Sequence, residues 1–179
     1  MFIELLTAIG IGTAALPSDA SEPTPILDMP DPTEVMCLAE NMYHEAKNQG
    51  TAGWSAVASV TFNRIRDNRF PNTVCEVVKQ GPTRESWKTR LLDLPDDERV
   101  YYPIRHRCQF SWYCDGKSDV PTDSETWMES IVLAYRLLNF NDMDITEGSL
   151  WYHANYIDKP YWSAELTPTV IINNHIFYK

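Results

Sequence analysis

Few residues in this sequence have the type and spacing to do chemistry, and each can be weighed by what its neighbours permit. His44-Glu45 opens like a helical zinc site of the H-E-x-x-H kind, where two histidines four apart share one face. The position four after His44 is Asn48, so the second helical ligand is missing. His106, His153 and His175 are dispersed, with no cysteine at ligand spacing. The sequence therefore predicts no metal and no other cofactor. A serine nucleophile fares no better, because there is no G-x-S-x-G elbow and Ser111 lies inside an aromatic segment. None of Cys37, Cys75, Cys108 and Cys114 has neighbours that mark a reactive thiolate. Glu45 remains. It sits near the C-terminal end of an amphipathic segment, beside Tyr43 and Ala46. Aromatic shielding and the negative end of a helix both favour a protonated carboxyl, the form a general acid needs. On spacing alone, however, a solitary helical glutamate is more often a solvated surface residue.

A second carboxylate of comparable quality is hard to find. Asp115 and Asp158 lie near aromatic segments but read more simply as turn and surface residues. Glu40 is five positions from Glu45, which turns it away from Glu45's helical face.

The elements that must position Glu45 can be read from patterning. Asp31-Pro32-Thr33-Glu34 predicts a helix start, with Asp31 as N-cap, Pro32 first in the helix and Glu34 closing a capping box. Val35, Leu38, Ala39, Met42, Tyr43 and Ala46 then recur at helical spacing, and Gly50 is a natural stop. A second helix is expected over 52–66 and a third over 122–140, with Trp127, Ile131, Ala134, Tyr135 and Leu138 on its buried face. Val74 to Val78 fits a short strand or a helical turn equally. Segment 82–107 is charged and broken by Pro95 and Pro103, which predicts a surface insertion with one short helix. Gln109 to Tyr113 and Trp151 to Ala154 are expected as extended pieces. Thr169 to Tyr178 is expected as a hairpin turning at Asn173-Asn174. Helices lead and short strands follow, so the predicted class is α+β in a single domain.

Composition bounds what such a domain does. Its 179 residues suffice for one compact core. The formal net charge of −10 opposes any mode of binding that rests on neutralising phosphates, so nucleic acid is not an expected partner. Residues 5–16 form an apolar run about the length of a signal-peptide core and too short to span a bilayer. Ser18-Asp19-Ala20 could serve as a cleavage site, although Met1 to Glu4 carry a carboxylate and no basic residue. Residues 17–32 are rich in proline, serine and acidic side chains, a tether composition. The expected organisation is an apolar segment plus tether over 1–30 and a folded domain over 31–179, without a stable membrane span. Four cysteines allow two disulfides in three connectivities, or free buried thiols. A Cys108–Cys114 bridge requires a bend or hairpin, and pairing of Cys75 with either is an alternative.

Seven segments, in order, carry a more specific signal. Cys37-Leu38-Ala39-Glu40-Asn41-Met42-Tyr43-His44-Glu45-Ala46 is followed by Gly53-Trp54-Ser55-Ala56-Val57-Ala58 and Phe62-Asn63-Arg64-Ile65. Arg69-Phe70-Pro71-Asn72-Thr73-Val74-Cys75 with Val77-Val78, Gln109-Phe110-Ser111-Trp112, Trp151-Tyr152-His153-Ala154 and Asn174-His175-Ile176-Phe177-Tyr178 complete the set. Together these resemble the SleB-like cell wall hydrolases of the spore cortex-lytic type, over residues 35–179. Lys47, Glu76 and the 82–107 insertion depart from the usual family pattern.

The resemblance implies a lysozyme-like, transglycosylase-type domain that cleaves the glycan strand of peptidoglycan at the MurNAc–GlcNAc bond. It places the catalytic glutamate on Glu45 and makes Gln109, Phe110, Trp112, Tyr152 and His153 candidates for the substrate groove. It implies a monomer acting in the cell envelope, periplasmic or secreted. A phage endolysin, made in the host cytoplasm and delivered to the periplasm, fits the lack of a targeting repeat. A hydrolytic muramidase with a second carboxylate, and a non-catalytic wall-binding or virion protein, are the competing readings. Because the proline-rich, apolar-poor tether offers no core face, deletion of residues 1–30 is expected to leave folding and wall-degrading activity intact, measured by thermal unfolding and turbidity clearing. An insoluble or inactive truncation would make that segment part of the fold.

Overall fold

A computed structural model describes residues 29–140 and 143–179. The apolar run, the candidate cleavage site and nearly all of the tether lie outside the described residues. Helix α1 spans Pro32–Ala46 and helix α2 spans Gly50–Arg66. Asp31 caps α1 by accepting from the Thr33 N–H at 2.7 Å, with Pro32 in the first turn. Glu34 does something other than close a capping box. Its carboxylate accepts from the N–H groups of Val74 (2.6 Å) and Cys75 (3.4 Å), at the start of the short helix α3, Val74–Val78. Orphan N–H groups at a helix start attract a carboxylate from another element as readily as a local one. The corner between α1 and α2 turns at Gly50, whose φ of +61° suits glycine.

Helix α5, Ser124–Asn139, packs against α1 and α2. Its entry is fixed from α1, because the Tyr43 hydroxyl accepts from the N–H groups of Thr122 (3.0 Å) and Asp123 (3.1 Å). Leu38, Met42, Val57, Val77, Val78 and Ala134, each fully buried, fill the space between these helices.

The strands follow. β1, Thr83–Glu85, and β2, Tyr101–Pro103, form an antiparallel pair around helix α4, Trp87–Leu92. The insertion thus holds a two-stranded ribbon as well as its expected helix. Arg99 staples it, donating from Nε to the Leu94 carbonyl at 2.8 Å and approaching Glu85, Asp93 and Asp96. β3, Trp151–Ala154, β4, Pro168–Ile172, and β5, His175–Tyr178, make an antiparallel sheet in the order β3-β5-β4. The β4–β5 turn falls at Asn173-Asn174, with Asn173 left-handed at φ +50°, a conformation asparagine tolerates. Phe177 packs from the sheet onto Ala56 and Val60 of α2. The fold is α+β, helices first and strands after.

Gln109 to Tyr113 is not a strand. Ser111–Cys114 forms a 3-10 turn, closed by the Cys108–Cys114 disulfide. A bridge between residues six apart demands a bend, and among the described residues no strand pairs with this segment. The second disulfide, Cys37–Cys75, ties α1 to α3 across 38 residues, and among the described residues no cysteine is free.

Loop-closure entropy scales with the logarithm of loop length, so the two bridges differ in worth. Removing Cys37–Cys75 by paired alanines should cost about 4 kcal/mol of unfolding free energy, against about 2 kcal/mol for Cys108–Cys114. Denaturant titration of both double variants tests this, and a larger loss at Cys108–Cys114 contradicts it.

Candidate active site

Three elements bring the ionisable groups together. Glu45 lies on the last turn of α1, Arg64 on the last turn of α2 and Tyr152 on β3. The Tyr152 hydroxyl donates to Glu45 Oε2 at 2.9 Å. Its ring is held by Phe177 (5.4 Å) and edge-on by His175 (4.9 Å), both from the neighbouring strand β5. Arg64 is only 4% exposed. Its Nε donates to the Leu150 carbonyl at 2.9 Å, and its guanidinium lies over the rings of Phe70 (5.3 Å) and Phe110 (5.0 Å). Nη1 is buried without a hydrogen-bond partner among the described residues.

Burial dominates the electrostatics of this trio. It pushes the Glu45 carboxyl above its ordinary range, against the Tyr152 hydrogen bond and the positive Arg64, which both favour the carboxylate. Burial also holds Tyr152 well above the ordinary phenol value, reinforced by the negative charge of Glu45 and opposed by Arg64. The Arg64 guanidinium is lowered by burial, while Tyr152 and Glu45 act the other way. A carboxyl with raised proton affinity, beside groups able to stabilise its anion, is suited to giving a proton and taking one back.

Glu45, Arg64 and Tyr152 open onto a cleft of about 540 Å³. Of the groove candidates, Gln109, Phe110, Tyr152 and His153 line it. Gln109 is exposed, with its N–H fixed to the Gln80 carbonyl at 2.9 Å. Phe110 is 2% exposed and forms floor more than wall. His153 has both ring nitrogens occupied, by the Ala154 carbonyl and the Tyr178 hydroxyl, each at 2.9 Å. Trp112 lies elsewhere. It sits in the helical core, its Nε1 donating to Asn41 Oδ1 at 3.1 Å and its ring stacked 4.6 Å from that of His44. On the 3-10 turn, Trp112 is carried beneath α1 instead of onto a strand face shared with Phe110.

His44 lines the cleft beside Glu45, its Nε2 within 3.1 Å of the Asp119 carbonyl oxygen. Arg64, Tyr156, Ile157, Trp162 and His175 also line it, although residue patterning did not single them out. Arg64 had one readable signal, a lone cation on the apolar face of α2. The Asn155–Pro160 loop had none, since its side chains follow no period. Among the described residues, Glu45 is the only carboxylate lining the cleft. Asp115 is drawn off by Lys117, through its N–H at 2.7 Å and its Nζ at 3.3 Å, and Asp158 is not part of the lining.

The sequence profile of the Cell Wall Hydrolase family matches residues 48–178. The chain belongs to that family. Two solved structures share its fold. One is the catalytic domain of the Bacillus cereus SleB protein, 23% identical over 83% of this chain and 91% of that one, with a TM-score of 0.55. The other is the catalytic domain of the germination-specific lytic transglycosylase SleB from Bacillus anthracis, 24% identical over 82% and 93%, with a TM-score of 0.54. Among curated proteins none matches. This cell wall hydrolase is thus an enzyme of peptidoglycan degradation, which acts outside the cytoplasm. Among the described residues no helix is long and apolar enough to cross a membrane. The family match begins just after Glu45, so α1 and its carboxyl lie outside the matched stretch.

The raised proton affinity of Glu45 has a consequence for stability. The folded hydrolase holds a proton that the unfolded chain releases, so wild-type stability falls as pH rises from the ordinary carboxylate range through the raised folded value. Glu45→Gln removes that dependence. The variant is expected to match wild type at acid pH and to exceed it increasingly towards neutrality, read from denaturant midpoints across pH. A wild type that gains on the variant as pH rises contradicts a raised Glu45.

Proposed function

We propose that this cell wall hydrolase cuts the MurNAc–GlcNAc bond of the glycan strand as a lytic transglycosylase, with Glu45 as sole acid and base. The observation that carries this reading is the Glu45 carboxyl, whose proton affinity desolvation raises, alone among carboxylates lining the cleft within the described residues. Glycoside hydrolysis ordinarily employs two carboxyl groups, one protonating the leaving oxygen and one activating water or attacking carbon. A single group suffices when the substrate supplies its own nucleophile. Glu45 protonates the glycosidic oxygen as the bond from muramic C1 to that oxygen breaks. The C6 hydroxyl of the same muramic residue then attacks C1, forming the 1,6-anhydro ring, and its proton returns to Glu45. No water is consumed.

The neighbours support each half of this cycle. Tyr152 occupies Oε2, which leaves Oε1 to carry the transferred proton. Once Glu45 is ionised, the Tyr152 hydrogen bond and the Arg64 charge both stabilise the carboxylate. Gln109 presents its exposed amide to substrate, Phe110 and Tyr152 give the groove an apolar floor, and His153 fixes the strand from which Tyr152 projects. Trp112 serves by bracing α1 through Asn41 and His44. In this reading residues 31–179 are the catalytic domain, segment 82–107 is an appended surface, and residues 1–30 deliver the domain to the envelope.

Glu45→Gln keeps the side chain's size but can neither give nor recover the proton. It should lower turnover by at least the ~10²–10⁴-fold typical of an acid–base group, while glycan binding persists. Mass spectrometry of wild-type products should find 1,6-anhydromuramic ends, one water lighter than hydrolytic ends. Hydrated products with a dead variant would keep Glu45 and point to a muramidase with a second carboxylate. A fully active variant would remove Glu45 from the mechanism.

A further inference from the structure

We propose that a second hollow, walled by Trp151, Tyr161, Trp162, Glu165 and Leu166, is a distal sugar site that holds another ring of the same glycan strand. The inference rests on the peptidoglycan reading above and extends it to where the polymer runs beyond the scissile bond. The hollow measures about 300 Å³, and Trp162 belongs both to it and to the cleft that holds Glu45. The two therefore adjoin at Trp162, and an extended polymer leaving the cleft past this residue enters the hollow.

The wall is built to stay in place. Tyr161–Glu165 is a 3-10 turn after Pro160, closed by buried Ser163, whose hydroxyl and N–H donate to the Pro160 carbonyl at 2.8 and 3.1 Å. Trp162 stands perpendicular to His153 and Tyr178, at 5.9 and 5.8 Å, so strands β3 and β5 both hold it upright. Trp151 is fixed in β3 opposite Tyr178, with the Arg69 guanidinium 5.4 Å over its ring. The same turn that anchors Trp162 leaves Tyr161 92% exposed. A solvated phenol ring lining one hollow with two tryptophans satisfies no need of the fold.

The chemistry of these walls fits a sugar ring. Aromatic faces pack against the apolar C–H faces of a pyranose, and the exposed carboxylate of Glu165 can accept from its hydroxyls. An anionic lipid or phosphate polymer would meet Glu165 unfavourably; among the described residues no lysine or arginine lines the hollow, and Arg69 behind Trp151 is paired with Asp67 at 2.6 Å. Continuity with the cleft makes the occupant the same strand that is cut.

Tyr161→Ala and Tyr161→Phe test the assignment, with purified peptidoglycan glycan strands of graded length as substrates. Tyr161→Ala should raise KM on long strands about tenfold, the order of one lost aromatic contact, while kcat and the KM of the shortest cleaved strand stay unchanged. Tyr161→Phe should restore wild-type KM at every length. Both variants should unfold at the wild-type temperature, since the ring is solvated. A Tyr161→Ala variant with unchanged KM at all lengths, or with equal loss at all lengths, overturns the distal site while leaving the glycan-cutting reading intact. A wild type that cuts no glycan strand overturns the activity reading and this inference with it.

Discussion

A carboxyl, a phenol and a guanidinium can share one water-poor wall only if each is held where the others compensate it. That constraint organises the domain. Glu45 on α1, Arg64 on α2 and Tyr152 on β3 come from elements that would otherwise have no reason to meet. The cost of desolvating Arg64 is offset in part by the Leu150 carbonyl and by the ring faces of Phe70 and Phe110. Tyr152 is aimed by Phe177 and His175 from the adjacent strand. His175, itself 5% exposed, is kept below its ordinary proton affinity by burial and by neighbouring His153, which works against a positive charge on its ring near Glu45.

The disulfides and caps serve the same placement at one remove. Cys37–Cys75 and the Glu34 contacts lock α3 to the first half of α1, which fixes the rotation of that helix and hence the direction of Glu45 at its other end. Tyr43 ties the second half of α1 to the entry of α5. The Asn173 side chain donates to the Gln49 carbonyl at 2.8 Å, joining the tip of the β4–β5 turn to the corner just beyond Glu45. Helical layer and sheet are thus fastened at the corner just beyond Glu45.

Much of this frame was legible in the residues. The 3.6-residue rhythm gave α1, α2 and α5, and the alternating segment closing at Asn173-Asn174 gave the β4–β5 hairpin, because periodicity and turn chemistry act locally. Glu34 was misjudged for the opposite reason, since its partner N–H groups lie forty residues away. Gln109 to Tyr113 has strand composition, but a disulfide six residues long overrode it and carried Trp112 into the core. Glu45 stood out through the resemblance, whereas Arg64, Trp162 and His175 acquire their places only when distant elements converge. No spacing rule encodes that convergence.

Strand order has one more consequence. β3 and β4 do not pair with each other, and β5, later in the sequence than both, lies between them. Until residues 175–178 have been made, Tyr152 has no neighbouring strand to aim it and Phe177 is not there to seat the sheet on α2. The Tyr152–Glu45 contact spans 107 residues, so it belongs to the late, non-local part of folding. During synthesis the growing chain therefore carries Glu45 before Tyr152 can be held against it. The Glu45–Tyr152 pair therefore forms only with the placement of a single central strand.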